Sequence, residues 1–331
     1  MEQKVYDEAY EKDLWEYFDA EMPEKMYDAH FHISRAYAAA EGYAGREWEQ
    51  YEEFMAKYIP RPIAGGMIMA QPSGKCSEED LISENAFNMQ LAMEHDLAAG
   101  LIITPRTTRE KVLNYLDNYP CIKALKPYLT FSVTGKLFES DIFDFAPEWM
   151  WQIADERAFP VVLHLSHYQN MLNEPKNIEQ LRYISTTYPN AKIVLAHCAM
   201  GHHCRKLKLG LEKIKDLKNI WFDCSGSVEA LSIYYCIKMF GVDRMMYGDD
   251  YNHGANVGRI CSFGSNFIGF HTGYVNEDVV PPDYRYQPLN NAQEGLLALL
   301  QACELLELSA EDKEKIFYSN AMKLYGGCTN E

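Results

Sequence analysis

The feature that most constrains the fold is the alternation of short apolar runs with amphipathic helical patterns along the whole chain. Strands that alternate with helices in this way are typical of βαβ units, in which the strands run parallel. Eight strands are the number that closes a (β/α)8 TIM barrel, and this is the fold that we predict. The predicted strands are Met26–His32, Ile63–Met69, Leu101–Thr104, Ile122–Phe131, Pro160–Leu165, Lys192–His197, Ile220–Cys224 and Arg244–Gly248.

Extensions are expected because the chain has 331 residues, whereas a plain barrel needs roughly 250. We predict a single domain over residues 1–331, with an N-terminal helical arm over about residues 1–22. A segment over 35–62 follows strand 1, and an insertion over 252–289 follows strand 8. Both leave C-terminal strand ends, where such barrels build their sites. Their aromatic residues are expected either to wall a pocket or to pack on the surface.

Helix boundaries are readable in several places. Ser77 with Asp80, and Ser309 with Asp312, have the spacing of a capping box at a helix start. Further helices are predicted over 107–116, 147–157, 177–188, 205–217, 227–240 and 291–306.

Composition and charge limit the class of partner. The net charge of −17 argues against nucleic acid and anionic membranes, because both require a basic surface. Nine irregularly spaced cysteines are typical of reduced thiols, and neither a signal peptide nor a membrane span is predicted. We therefore expect a cytoplasmic protein that acts on a small molecule. A homodimer is the default expectation for its assembly.

Side chains of the kinds that bind metal ions end four of the eight predicted strands. Strands 1, 5, 6 and 8 end in His30 and His32, His164, His197, and Asp249–Asp250. Alternate residues of a strand face the same way, so we expect Asp28, His30 and His32 to point together into the barrel. The C-terminal ends of parallel strands meet at one barrel face. These imidazoles and carboxylates are therefore predicted to surround a divalent metal ion.

The chain resembles the amidohydrolase superfamily, and within it the amidohydrolase-related branch. That branch includes aminocarboxymuconate-semialdehyde decarboxylase, resorcylate-type decarboxylases and lactonases. The resemblance spans nearly the whole chain. It rests on the segments DAHFH, VVLHLS, KIVLAHCAMG, WFDCSG, RMMYGDDY and IFYSNAMKLYG. It implies a metal-dependent TIM barrel but does not identify a substrate.

Carried over to this sequence, the resemblance implies the roles of the site residues. The implied ion ligands are His30, His32, His164 and Asp250, and His197 with Asp250 would be catalytic. Asp250 fits the branch's Gly-x-Asp-aromatic pattern, although Asn252 stands where the branch usually has proline; Asp249 is the alternative. Three imidazoles and a carboxylate suit zinc best, with manganese next. Such an ion lowers the pKa of water to about 7.

Three further residues are predicted to bind the substrate. Arg35, just beyond strand 1, is placed to clamp a carboxylate, and Lys126 in strand 4 to anchor an anionic group. His167 follows strand 5. The plainer alternatives are surface loop residues for Arg35 and His167, and a lysine at the barrel rim for Lys126. Asp28 is expected to buttress the strand 1 histidines, and Asp223 to be structural.

Three functions remain open from the sequence. The first is a metal-dependent hydrolase that uses ion-activated water on a small, anionic lactone or amide. The second is a metal-dependent nonoxidative decarboxylase of an unsaturated or aromatic acid. The third is a metal-free or non-catalytic binding relative. Motifs for nucleotide cofactors or a serine nucleophile do not occur in the sequence, so those classes have no support.

Overall fold

The computed structural model describes residues 8–71, 76–271 and 289–328. Eight parallel strands form one sheet, and each strand pairs with the next one along the chain. This order, with helices between the strands, confirms the predicted (β/α)8 barrel. The strands are β1 Met26–His32, β2 Ile63–Met69, β3 Ala98–Ile103, β4 Ile122–Pro127, β5 Pro160–Leu163, β6 Lys192–Leu195, β7 Ile220–Asp223 and β8 Met245–Met246.

Backbone hydrogen bonds join the end of the barrel to its beginning. β8 covers only Met245–Met246, and the irregular segment after it continues along β1. Tyr247 O accepts from Ala29 N at 2.9 Å, and His30 O accepts from Asp250 N at 2.9 Å. This closure fixes Asp250 beside His30 at the C-terminal end of the barrel.

Helices surround the strands, and most of their ends lie within three residues of the predicted ones, but the helix predicted over 205–217 ends at Glu212. Both predicted capping boxes form, at Ser77 with Asp80 and at Ser309 with Asp312. The helices are α1 Glu8–Glu21, α2 Arg35–Ala40, α3 Glu47–Tyr58, α4 Glu78–Glu94, α5 Arg109–Asn118, α6 Ile142–Phe145, α7 Glu148–Glu156, α8 Pro175–Thr187, α9 Cys204–Glu212, α10 Ala230–Phe240, α11 Asn291–Leu305, α12 Ala310–Glu314 and α13 Asn320–Leu324. None of the helices within the described ranges has the length and apolar character to cross a membrane.

The core has two parts, as expected for a barrel whose strands are buried on both faces. Inside the barrel, apolar side chains such as Val162, Val194 and Met246 pack together. Between the strands and the helices lies a larger cluster that includes Phe18 and Trp151. Packing of both faces holds the strand ends rigidly, and the side chains that follow these ends are positioned by this scaffold.

Strands 3 to 8 all end one to four residues earlier than the sequence suggested, and two of these ends, those of β4 and β6, have a clear structural cause. β4 stops at Pro127, which has no N–H to continue the ladder, and Leu129–Phe131 form a 3-10 turn. β6 stops at Leu195, so the predicted strand end at His197 is wrong. The chain instead makes a left-handed turn, in which four successive residues from His197 to Met200 have φ between 50° and 58°.

The extensions have structure of their own. The N-terminal arm contains α1, and its residues 1–7 lie outside the described residues. The segment after β1 forms α2 and α3. The insertion after β8 contains an antiparallel hairpin, β9 Gly258–Phe263 with β10 Asn266–His271, while its residues 272–288 lie outside the described residues.

Candidate active site

Two histidines of β1 present the same ring nitrogen to each other. His30 Nδ1 lies 3.0 Å from Asp223 Oδ2, and His32 Nδ1 lies 3.0 Å from the carbonyl oxygen of Ala70. Because a carboxylate and a carbonyl only accept hydrogen bonds, both Nδ1 atoms carry the proton. The two Nε2 atoms are therefore unprotonated, and they face each other at 3.2 Å. Burial lowers the pKa of His32 to about 3, so its ring is neutral.

Asp250 completes a group of three ligand-type side chains. Its Oδ1 lies 3.8 Å from His30 Nε2 and 3.5 Å from His32 Nε2. Ligand atoms about 2.0–2.1 Å from a tetrahedral ion lie about 3.3–3.4 Å from one another. The three separations of 3.2, 3.8 and 3.5 Å are close to that value, and the two unprotonated nitrogens and the carboxylate are all suitable ligands for a cation. A buried His–His–Asp group here can therefore bind a metal ion.

The neighbouring Asp249 points elsewhere. Its backbone N donates to Asp28 Oδ1 at 3.2 Å, and its own Oδ1 accepts from Tyr251 N at 2.8 Å. Asp250 differs because its backbone is left-handed, with φ of 58°. This turn swings the Asp250 carboxylate toward the histidines of β1. Of the two aspartates, the structure brings Asp250 to the cluster.

Asp28 does not join the histidines, and the expectation that it points with them is wrong. Its Oδ2 accepts from the Tyr51 hydroxyl at 2.8 Å, and its Oδ1 accepts from His30 N at 3.1 Å. The pairing register of β1 is irregular between Asp28 and Phe31, which interrupts the strict alternation of side chains. The carboxylate that buttresses the His30 ring is that of Asp223.

His197 lies against the same cluster through the left-handed turn after β6. Its ring centroid is 5.0 Å from that of His30, and its Nδ1 is 3.8 Å from Asp250 Oδ2. Nδ1 lies 2.8 Å from the carbonyl oxygen of Ser225, so this nitrogen carries the proton and Nε2 is the basic atom. The backbone N of His197 donates to Asp223 Oδ1 at 3.1 Å, which helps to hold the turn.

His164 follows β5 and lies nearby, but it is oriented toward a tyrosine. Its Nε2 is 2.8 Å from the Tyr168 hydroxyl, and its ring centroid is 4.9 Å from that of His197. Among the described residues, the metal-binding group consists of His30, His32 and Asp250, without His164. His164 therefore lines the site in this structure.

Lys126 is fully buried beside the cluster, so the rim alternative is excluded. Its Nζ lies 3.4 Å from His30 Nε2 and 5.4 Å from the centre of the Tyr128 ring. Burial lowers the pKa of the amine to about 8, although Asp223 and Asp250 oppose this shift. An amine in this position can attract an anionic group.

An open cavity of about 230 Å³ leads to the cluster from the C-terminal face. Its walls combine imidazoles with aromatic rings, and the insertion after β8 contributes part of them. The lining residues are Gln71, Tyr128, His164, Tyr168, His197, Met200, His202, Gly226, Asp250, His253, Ile260 and Phe267. The insertion therefore walls the cavity, whereas the segment over 35–62 contributes none of these lining residues.

Sequence comparison decides the family. A sequence model of the amidohydrolase family matches residues 135–327, more than half of the chain. The chain belongs to the amidohydrolase family. It is accordingly an enzyme, and the predicted family is confirmed. No curated protein matches this amidohydrolase in sequence.

Solved structures share the fold of this amidohydrolase at low identity. A putative amidohydrolase from Staphylococcus aureus aligns with a TM-score of 0.60 and 12% identity, over 92% of this chain and 100% of that one. An amidohydrolase from Burkholderia multivorans with bound zinc aligns with a TM-score of 0.56 and 12% identity, over 91% and 99%. The 5-carboxyvanillate decarboxylase from Sphingomonas paucimobilis aligns with a TM-score of 0.53 and 12% identity, over 92% and 99%.

Two predicted substrate-binding residues of this amidohydrolase, Arg35 and His167, contact residues outside the cavity wall. Arg35 forms an ion pair of 2.8 Å with Glu84 of α4. Its guanidinium also donates to Ser83 Oγ and lies 5.1 Å from the centre of the Phe87 ring. His167 Nε2 lies 3.0 Å from Asp141 Oδ1, just before α6. The structure brings neither side chain into the wall of the cavity among the described residues.

Sequence reasoning missed several residues of the site. Asp223 was expected to be structural, yet it touches both His30 and His197. Gly226 has φ of 59°, and a Cβ there would lie 3.0 Å from Asp250 Oδ2. The segment WFDCSG contained both residues, but their contacts arise from strand neighbours distant in the chain.

Proposed function

We propose that this amidohydrolase is a metal-dependent hydrolase of a small, anionic substrate such as a lactone or an amide. The observation that carries the proposal is the convergence of three buried ligand atoms, His30 Nε2, His32 Nε2 and Asp250 Oδ1, at the end of an open cavity. When bound there, a divalent ion supplies a Lewis acid that polarises a carbonyl and acidifies water.

Zinc is the proposed ion, with manganese as the alternative. Neutral imidazoles and a carboxylate are ligands that suit zinc, and the Burkholderia multivorans neighbour was solved with bound zinc. We also propose His164 as a fourth ligand, as the family resemblance implies. Its Nε2 is hydrogen-bonded to the Tyr168 hydroxyl. This hydrogen bond must break before His164 Nε2 can bind the ion.

Proton transfer is proposed for His197 and Asp250. His197 is held through Nδ1 by Ser225 O, which leaves Nε2 free to accept a proton. Asp250 has its second oxygen, Oδ2, turned toward His197 at 3.8 Å. A carboxylate and an imidazole in this arrangement can take a proton from a nucleophile and return it to a leaving group.

Lys126 is proposed as the anchor for the anionic group of the substrate. Its amine is buried next to His30 and has lost its hydration by water. A substrate carboxylate would replace that water and accept a charge-assisted hydrogen bond from the amine. The contacts of Arg35 and His167 with other residues give no support to their predicted part in substrate binding.

Nonoxidative decarboxylation is the second candidate. It is favoured by the same buried amine, which can hold a carboxylate or an enolate oxygen, and by three aromatic rings in the cavity wall. Those rings are Tyr128, Tyr168 and Phe267, and they suit a planar unsaturated or aromatic acid. The structural neighbour from Sphingomonas paucimobilis is a decarboxylase.

A substrate panel tests the function. The zinc-loaded protein is assayed with lactones and amides for hydrolysis, and with unsaturated and aromatic acids for release of CO2. Hydrolysis that disappears in a His30→Ala variant supports the first proposal, and CO2 release supports the second. Purified protein that takes up far less than one equivalent of zinc would favour a metal-free binding relative.

We also propose that the enzyme acts in the cytoplasm as a homodimer. All nine cysteines are free in the structure, which fits a reducing compartment. The homodimer follows only from the frequency of such assemblies, and the mass of the protein in solution tests it.

A further inference from the structure

A tyrosine from the segment after β1 reaches the framework behind the cluster. Tyr51 lies in α3 and is fully buried. Its ring stacks on Phe31 of β1, with centroids 4.5 Å apart and planes within 4°. Its hydroxyl donates to Asp28 Oδ2 at 2.8 Å. The stacking and the hydrogen bond together fix the hydroxyl on one carboxylate oxygen.

The other oxygen of the same carboxylate ties two ligand-bearing segments together. Asp28 Oδ1 accepts from His30 N at 3.1 Å and from Asp249 N at 3.2 Å. One of these amides belongs to a proposed ligand, and the other precedes the proposed ligand Asp250. The Asp28 carboxylate therefore bridges β1 and the segment after β8 at the point where their side chains meet.

We propose that Tyr51 is a positioning residue for the metal centre, acting through Asp28 on the backbone of His30 and Asp250. The inference rests on the proposed metal site. Without the hydroxyl, the Asp28 carboxylate can rotate, and the two amides that it accepts lose a fixed acceptor. The separation of the ligand atoms then varies more, which weakens binding of an ion that requires a defined geometry.

Tyr27, which lies in β1 next to Asp28, offers a matched control for Tyr51. It is also fully buried, and its hydroxyl donates to Gly326 O at 2.8 Å. Tyr27→Phe and Tyr51→Phe each remove one hydroxyl from a buried ring and one hydrogen bond of equal length. Only the bond of Tyr51 leads to the residues that carry the ligands, so only Tyr51→Phe should alter the metal centre.

The test is the affinity for zinc, measured by competition with a chelating dye. We expect Tyr51→Phe to bind zinc about tenfold more weakly than the wild type and Tyr27→Phe to bind it like the wild type. Equal affinities in the two variants would overturn the inference while leaving the proposed metal site intact. A wild type that binds no zinc would overturn both.

A double-mutant cycle with Asp28→Asn tests the route of the effect. If Tyr51→Phe folds poorly, Asp28→Asn alone serves as the second variant, because loss of the bridging carboxylate should also weaken zinc binding, and normal zinc affinity in it would overturn the inference. If Tyr51 acts through Asp28, the double variant should bind zinc no more weakly than Asp28→Asn alone. Independent, additive losses would contradict action through Asp28. Circular dichroism of each zinc-free variant shows whether it is folded.

Discussion

The carboxylate of Asp223 is the contact whose removal gives the sharpest prediction. Its Oδ2 accepts from His30 Nδ1 at 3.0 Å. Its Oδ1 accepts from His197 N at 3.1 Å, from Ser225 N at 3.2 Å and from Ser225 Oγ at 2.5 Å. One side chain thus orients a proposed ligand with one oxygen and a proposed catalytic residue with the other.

Asp223→Asn keeps the size of the side chain but replaces one acceptor with a donor. In one orientation the amide NH2 faces His30 Nδ1, and only the hydrogen bond from His30 is lost. In the other orientation it faces His197 N, Ser225 N and Ser225 Oγ, and all three of their hydrogen bonds are lost. The first orientation is therefore favoured. A hydrogen bond to a charged group contributes about 1.5–3 kcal/mol. Loss of the carboxylate from the His30 ring should weaken zinc binding about 10–100-fold.

The assay is competition for zinc against a chelating dye, with thermal unfolding of the same samples. Asp216→Asn is the control, because Asp216 forms an exposed ion pair with Arg182 of 2.7 Å, and such surface pairs contribute little. We expect the control to bind zinc normally. Normal zinc affinity in a folded Asp223→Asn protein would refute the argument that this carboxylate orients His30.

Three further variants test other parts of the structure. Gly226→Ala should bind zinc more weakly in a titration, because its Cβ would lie 3.0 Å from Asp250 Oδ2 and displace that carboxylate. Gly264→Ala has nearly the same positive φ and nothing within 4 Å of its Cβ, so it should bind zinc normally. Equal zinc binding by the two would contradict the steric argument. Lys126→Met should lower kcat/KM for an anionic substrate more than for its neutral analogue; an equal effect on both would exclude an anchoring role. Ser309→Ala should lower the free energy of unfolding in urea by about 1 kcal/mol, because Ser309 caps α12, and an unchanged urea midpoint would contradict this.

The fold and part of the site were predictable from the sequence because local rules apply to them. The (β/α)8 order follows from periodicity, and the meeting of His30, His32 and Asp250 follows from their place at or just after strand ends. In a barrel of parallel strands all the C-terminal strand ends lie at one face, and this does not depend on the lengths of the helices between them. No comparable rule fixes the ring of His164, which turns toward Tyr168 instead of the cluster.

The remaining features depend on tertiary contacts that leave no local signal. A left-handed backbone costs an ordinary residue about 1–2 kcal/mol, so nothing in the sequence near His197 predicts four such residues in succession. Contacts from elsewhere hold that turn: Asp223 accepts from its first amide, and Ser232 donates to the carbonyl of Gly201 at its end. The turn of Asp28 toward Tyr51 likewise depends on a register irregularity in β1.

The most direct test of the metal site is a crystal structure of the zinc-loaded protein with anomalous data collected at the zinc absorption edge. We expect a single peak about 2.0–2.1 Å from His30 Nε2 and His32 Nε2 and within bonding distance of the Asp250 carboxylate. A zinc peak bound by other residues, or no peak in crystals grown with excess zinc, would contradict this expectation.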